Sequence, residues 1–138
     1  MEETLIKETL ILDSNQDSIN KVNAFVDEIF AKQSDKLKDS YGNIIIALTE
    51  GVNNAITHGN KLDNSKKVTV HFALLSFGVS FTITDEGTGF DYTQIPDPTA
   101  SENLEKINGR GIFLMIQLAD KIEFRENGKK IELIFNFA

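Results

Sequence analysis

The sequence predicts an α/β (α+β) two-layer sandwich, a mixed and mostly antiparallel sheet with helices on one face. Three observations carry that prediction. Apolar and polar residues alternate through 67–74 and again through 79–84, the period of half-buried strands. Apolar residues recur at helical spacing in two long segments, Ile19 to Phe30 and Tyr41 to Ile56. Glu126-Asn127-Gly128-Lys129 separates two further strand-like runs, and Asn-Gly at that place is a strong hairpin signal.

The bulk properties bound the answer. A chain of 138 residues suits one domain, 1–138. It is 41% hydrophobic and 25% charged, ordinary values for a soluble protein with a core. There is no cysteine, which excludes disulfides and thiolate metal sites and fits a reducing, cytoplasmic compartment. Met1-Glu-Glu-Thr-Leu-Ile-Lys-Glu8 is acidic where a secretory leader is basic. The longest apolar run, Ile44 to Leu48, is far too short to cross a bilayer. The net charge of −7 disfavours direct contact with nucleic acid or anionic lipid. An anionic ligand would need a local site and a cation to offset the overall repulsion.

The elements follow in order. Residues 4–13 read as a strand carrying Leu5, Ile6, Leu10, Ile11 and Leu12. Ser14-Asn-Gln-Asp17 resembles a capping box, opening a helix from about Asp17 to Gln33. A polar connection, 34–40, leads to a second helix from roughly Asp39 to His58. Its apolar stripe is Tyr41, Ile45, Leu48, Val52, Ala55 and Ile56. Gly59 to Lys66 is a polar loop, followed by the two alternating strands joined at Leu75-Ser-Phe-Gly78. His71 falls on the polar side of the first of them. Residues 91–108 contain Pro96 and Pro98, with a short helix over Thr99 to Ile107, and form either a surface loop or a lid. Ile112 to Ala119 is a helix apolar on most faces, and the terminal hairpin closes the chain.

Four features bear on chemistry. Glu50 and Asn54 are four residues apart, which places a carboxylate and a carboxamide one turn apart on one helix face, with His58 beyond them. A solvated helix face would look the same. Ile46 and Ala47 share that face, however, and Asn53-Asn54 is poor helix-forming sequence. Asp85 continues the inward phase of its strand, so its carboxylate either bonds local backbone amides in a turn or meets a buried ligand. Gly87 and Gly89 let the backbone lie close to a flat ligand. Gly109-Arg110-Gly111 opens the apolar helix, where free amides and the dipole suit phosphate; a tight loop packed on the sheet gives the same sequence.

In this order, Glu50-x-x-x-Asn54-Ala55, Asp85-x-Gly87-x-Gly89, a lid, Gly109-x-Gly111 and a terminal hairpin, the chain resembles the GHKL ATPase superfamily with its Bergerat ATP-binding fold. Leu48-Thr-Glu-Gly-Val-Asn-Asn-Ala-Ile-Thr-His-Gly59 and Gly109-Arg-Gly-Ile-Phe-Leu-Met115 are similar to the boxes of the anti-sigma factor serine/threonine kinases of the RsbW/SpoIIAB type. The resemblance implies ATP and Mg2+ as cofactors. Glu50 would be the catalytic base or orient the attacking hydroxyl, and Asn54 would ligate the metal. Asp85 would accept from the adenine amino group, with Gly87 and Gly89 against adenine and ribose. Gly109 and Gly111 would offer amides to the phosphates, with Arg110 between them. Arg110 stands where relatives often carry an apolar residue, and Lys130 where they carry a threonine beside the adenine. The implied function is phosphorylation of a STAS-type anti-anti-sigma protein by a kinase that also sequesters a sigma factor, as a homodimer. The rival readings are a non-catalytic ATP-binding partner-capture module and a stand-alone histidine-kinase-type domain; no phosphoacceptor-histidine helix pair precedes the boxes.

Overall fold

The computed structural model describes residues 4–32, 35–88 and 107–137. Strand β1 (Thr4–Asp13) pairs with β2 (Lys67–Leu75), β2 with β3 (Gly78–Thr84), β3 with β5 (Lys130–Asn136) and β5 with β4 (Lys121–Arg125). The order is β1-β2-β3-β5-β4, and all four pairings are antiparallel. Register places Leu12 beside Val68, Val70 beside Ile83, and Phe81 beside both Phe72 and Leu133. One face of the sheet is therefore a continuous apolar floor. Phe81 sits at its centre, its ring 5.2 Å from that of Phe72 and 6.3 Å from that of Phe135.

The other face is polar. Thr9, His71, Thr82, Glu132 and Glu123 form a row across it. His71 hydrogen-bonds Thr9, and Arg125 bridges Glu123 and Glu132. This explains why the helices of the described residues gather on the apolar side.

Helix α1 (Ile19–Lys32) buries Val22, Phe25, Val26 and Ile29. Helix α2 (Tyr41–Asn54) buries Ile44, Ala47, Leu48, Gly51 and Val52. Helix α3 (Ile107–Leu118) adds Ile112 and Met115. Together they cover the floor, and the core lies between the two layers.

Three local expectations change. The capping box does not form. Asn15 stands at the N-cap without a side-chain capping bond, its Nδ2 donating instead to Asn64 Oδ1, and a short 3-10 turn, Gln16–Ser18, precedes α1. The Ser14 hydroxyl instead donates to the Lys66 carbonyl, and Ser18 donates to the Asp13 carbonyl. Tyr41 lies at the surface rather than within the stripe, its hydroxyl donating to Asp27 and its ring edge-on to Phe30. Helix α3 starts before the Gly109-Arg110-Gly111 box, which lies inside it. The lid expected at 91–108 lies outside the described residues but for its last two, which begin α3. The short helix over Thr99 to Ile107 lies outside them but for Ile107.

Candidate functional site

The α-helical ladder of α2 ends at Asn54. A π turn, Ala55–Gly59, follows, with the Asn60 amide donating to the Ala55 carbonyl across five residues. The helix is closed by the Leu62 amide donating to the Ile56 carbonyl, with Lys61 in the left-handed region (φ 53°). Within this stretch Thr57 returns its hydroxyl to the Asn53 carbonyl, a local bond that competes with the regular ladder. This sequence, poor in strong helix formers after Val52, folds as a helix that loosens where the site begins.

A cavity of about 300 Å3 opens at this end of the sheet. Asn54, Ala55, His58 and Gly59 line it from α2 and its π turn; Ile83, Asp85 and Thr88 from the end of β3; Ile112 from α3; and Gly128, Lys129 and Ile131 from the hairpin. Its size is at the lower end of small-ligand sites. Apolar side chains and a few convergent polar groups share its walls, as such sites require.

Asp85 is 8% exposed. The local turn bond forms, and it leaves the carboxylate on the wall of the cavity. One carboxylate oxygen accepts the Gly87 amide at 2.8 Å, and the carboxylate also faces the cavity. Burial pushes its pKa above the usual carboxylate range. The Gly87 amide and the cations of Lys129 and Lys66 pull partly the other way. The turn that carries it is held on every side. The Asp85 amide donates to the Lys129 carbonyl at 2.9 Å and the Glu86 amide to Asn60 Oδ1 at 2.8 Å. The Glu86 carboxylate accepts the Lys67 amide.

Two glycines let this turn meet the end of the helix. A Cβ on Gly59 would lie 2.4 Å from Asp85 Oδ2, and one on Gly87 would lie 2.0 Å from the Gly59 carbonyl oxygen. Only glycine at both places permits the contact. Sequence reasoning read Gly59 only as the end of a box and passed over Asn60, which supports the site from behind the cavity wall; the signal was Gly-Asn directly after a helix end.

Asn54 and Glu50 differ in setting. Asn54 lines the cavity, and its carboxamide lies against α3, where a Cβ on Gly111 would come within 2.7 Å of it. Glu50, one turn earlier, is half-buried and is not among the described residues lining the cavity. Neither side chain has a hydrogen bond among the described residues. Gly109 falls at the third position of α3, among amides that an α-helix leaves unpaired. Gly111 falls at the fifth, where amides enter the helix's own ladder. The Arg110 side chain and Gly89 lie outside the described residues.

Lys130 does not stand at the cavity. Its neighbours Lys129 and Ile131 line it, while Lys130 pairs with Thr84 and Arg125 in the opposite phase of the strand. A shift of one residue moves a side chain to the other face. Of the two hairpin lysines, Lys129 is therefore the one beside the site, where Lys61, just past the π turn, joins it in lining the cavity.

No group of three or more His, Cys, Asp or Glu side chains comes together among the described residues. A cation here would rest on the Asn54 carboxamide oxygen and on oxygens of its own ligand. That donor set fits Mg2+, which takes few protein ligands and keeps phosphate and water oxygens. No helix of the described residues is long and apolar enough to cross a membrane.

Residues 12–135 match the family model of the histidine kinase-like ATPase domain. Among curated proteins, the serine-protein kinase RsbW of Staphylococcus aureus strain MSSA476 is 30% identical over 96 residues, 64% of this chain and 60% of its own length. The same protein of strain JH9 matches to the same extent. The match thus spans less than two thirds of those relatives. Among solved structures, that of the RsbU and RsbW domains of Rv1364c from Mycobacterium tuberculosis superposes with a TM-score of 0.63 at 16% identity. It covers 96% of this chain and 32% of that one, a likeness of fold.

Proposed function

Since this chain belongs to the histidine kinase-like ATPase domain family, we propose that it binds Mg-ATP in the cavity and transfers the γ-phosphoryl group to a serine or threonine of a protein. The observation that carries this reading is the joining of Asn54 and Asp85 in one cavity from elements far apart in sequence. Asp85, ionised, accepts from the adenine amino group, with Gly87 and Gly89 beside the base and ribose. Asn54 would hold the metal, and the amides of Gly109 and Arg110 with the Arg110 cation would meet the phosphates, while Gly111, its amide taken by the α3 ladder, lets α3 close on Asn54. Bound Mg2+ would blunt the charge of the phosphates, which a chain of net charge −7 does not otherwise attract. Glu50, at the margin of the cavity, takes the proton of the incoming hydroxyl.

The relatives named serine-protein kinase support serine as acceptor. By the same likeness the protein acts in the cytoplasm as an anti-sigma regulator. It captures a sigma factor and phosphorylates a STAS-type antagonist, as a homodimer. Phosphoserine adds a charge of about −1.5 to −2, so the phosphorylated antagonist should leave this acidic surface. Equal affinity for both forms at low salt would contradict that step.

The test is ATP titration with and without Mg2+, read by thermal shift, on wild type and Asn54→Ala. Mg-ATP should raise the melting temperature of the wild type and leave Asn54→Ala nearly unmoved. A wild type unmoved by Mg-ATP removes the proposal. Glu50→Ala should bind ATP normally and lose transfer by about 100-fold or more, the usual contribution of a general base. A second reading, a nucleotide-gated binding module without transfer, is favoured by the place of Glu50 outside the described cavity lining. It prevails if wild type binds Mg-ATP and a partner yet phosphorylates no candidate.

A further inference from the structure

Asn60 is 1% exposed, and its carboxamide is fully used. Its Nδ2 donates to Ser14 Oγ at 2.9 Å and to the Lys67 carbonyl at 3.0 Å. Its Oδ1 accepts the Glu86 amide at 2.8 Å. One side chain therefore ties together the end of the π turn, the junction after β1, the start of β2 and the turn after β3. A buried carboxamide with all its partners satisfied fixes the groups around it and leaves no low-cost alternative arrangement.

The bond to Glu86 is the one that reaches the site. Glu86 follows Asp85 directly, and Gly87 closes on the Asp85 carboxylate. Gly59, next to Asn60, is the backbone on which that turn rests. We propose that Asn60 is a positioning residue that sets base selectivity, by holding the Asp85–Gly87 turn against Gly59 so that the carboxylate meets a 6-amino purine and rejects a 6-oxo purine. Its carboxamide acts through Asp85 and makes no contact with the ligand. The inference rests on the nucleotide reading above and adds a determinant outside the cavity wall.

The reason is geometric. A carboxylate acceptor discriminates an amino from a carbonyl group only if its oxygen is held within hydrogen-bond distance and angle. Asp85 has one oxygen engaged by Gly87, so the other is aimed by the backbone of the turn. Releasing the Glu86 amide frees that backbone to shift, and discrimination falls before binding does, because phosphate and metal contacts are made elsewhere.

The test is the ratio of Kd values for inosine triphosphate and ATP, both with Mg2+, in wild type, Asn60→Ala and Asn60→Asp, each checked for a cooperative melt. Wild type should prefer ATP. Asn60→Ala should lose about tenfold of that preference, the scale of one hydrogen bond to a charged group. Asn60→Asp keeps the acceptor for the Glu86 amide and loses the two donors. It should melt lower yet hold the ratio within about twofold, a result within the scatter of neutral substitutions. A merely structural Asn60 would lower both melts and leave both ratios unchanged. The proposal is overturned if Asn60→Ala retains the wild-type ratio, or if Asn60→Asp, which tests the case where the alanine variant fails to fold, loses it. A wild type that binds ATP without preferring it over inosine triphosphate also overturns it. A wild type that binds neither removes the nucleotide reading beneath it, which distinguishes the two failures.

Discussion

The two ends of the cavity are built differently. At the Asp85 end, backbone meets backbone at glycines, and the buried polar groups around Asn60 are paired. At the Asn54 end, two helices approach through a side chain and a glycine, and neither Asn54 nor Glu50 has a hydrogen bond among the described residues. The first end is finished before any ligand arrives. Among the described residues, the second leaves the side chains of Asn54 and Glu50 without a partner. A rigid end suits recognition of a flat base, where fixed geometry gives discrimination. An open end suits phosphates and a cation, which bring their own strong contacts and reward adjustable partners.

Substitutions at each end should separate the two. The largest effect is expected for Gly87→Ala. Its Cβ would stand 2.0 Å from a backbone oxygen that cannot rotate aside, so the rigid end should lose about 3 kcal/mol in a urea melt and ATP binding with it. A melt within error of wild type would show that this end yields after all.

Asp85→Asn should split stability from binding. A carboxyl whose folded pKa is raised contributes stability below its unfolded pKa, and that contribution is lost as pH rises through the folded value. At neutral pH the asparagine variant should therefore melt higher than wild type, and the difference should vanish in acid. ATP affinity should fall by about 2 kcal/mol, because a carboxamide can turn a donor toward the adenine amino group. In wild type the same affinity should fall on acidification at a pH above the ordinary aspartate range, which calorimetric titration from pH 7 to 4 would follow.

Gly111→Ala probes the open end. The clash is with the tip of a side chain, 2.7 Å from Asn54 Nδ2. Alanine is also the better helix former by about 1 kcal/mol, so the melt should barely change. Displacing Asn54 should nevertheless weaken Mg-ATP binding about tenfold, the scale of one lost contact to a charged group. An unchanged affinity would mean that Asn54 takes no part. The smallest effect is expected for Lys130→Thr, on the far face of the strand. ATP affinity should move by less than about 0.5 kcal/mol, whereas Lys129→Thr should shift it measurably.

Much of the layout was legible from periodicity. The strands at 4–13, 67–75 and 78–84, the helix segments and the hairpin at 126–129 lie where alternation, 3.6-residue spacing and Asn-Gly chemistry place them. These are local signals, read from neighbours along the chain. Asp85 was legible for the same reason, since the inward phase of β3 carries through to it.

What tertiary structure alone decided has a common cause, contact between segments distant in sequence. Ser14 was expected to cap its own helix, yet its hydroxyl is taken by Lys66 and Asn60, dozens of residues away. The capping pattern did not reveal that competition. The π turn after Asn54 accompanies the packing of Gly59 on the Asp85 turn, a demand absent from the helix's own composition. Register, set by the pairing of β3 with β5, decided between Lys129 and Lys130 at the cavity. The chain by itself determined which residues could face a ligand, because side-chain phase is local. The fold decided which of them meet in one cavity, because only packing brings the end of α2, the end of β3 and the hairpin together.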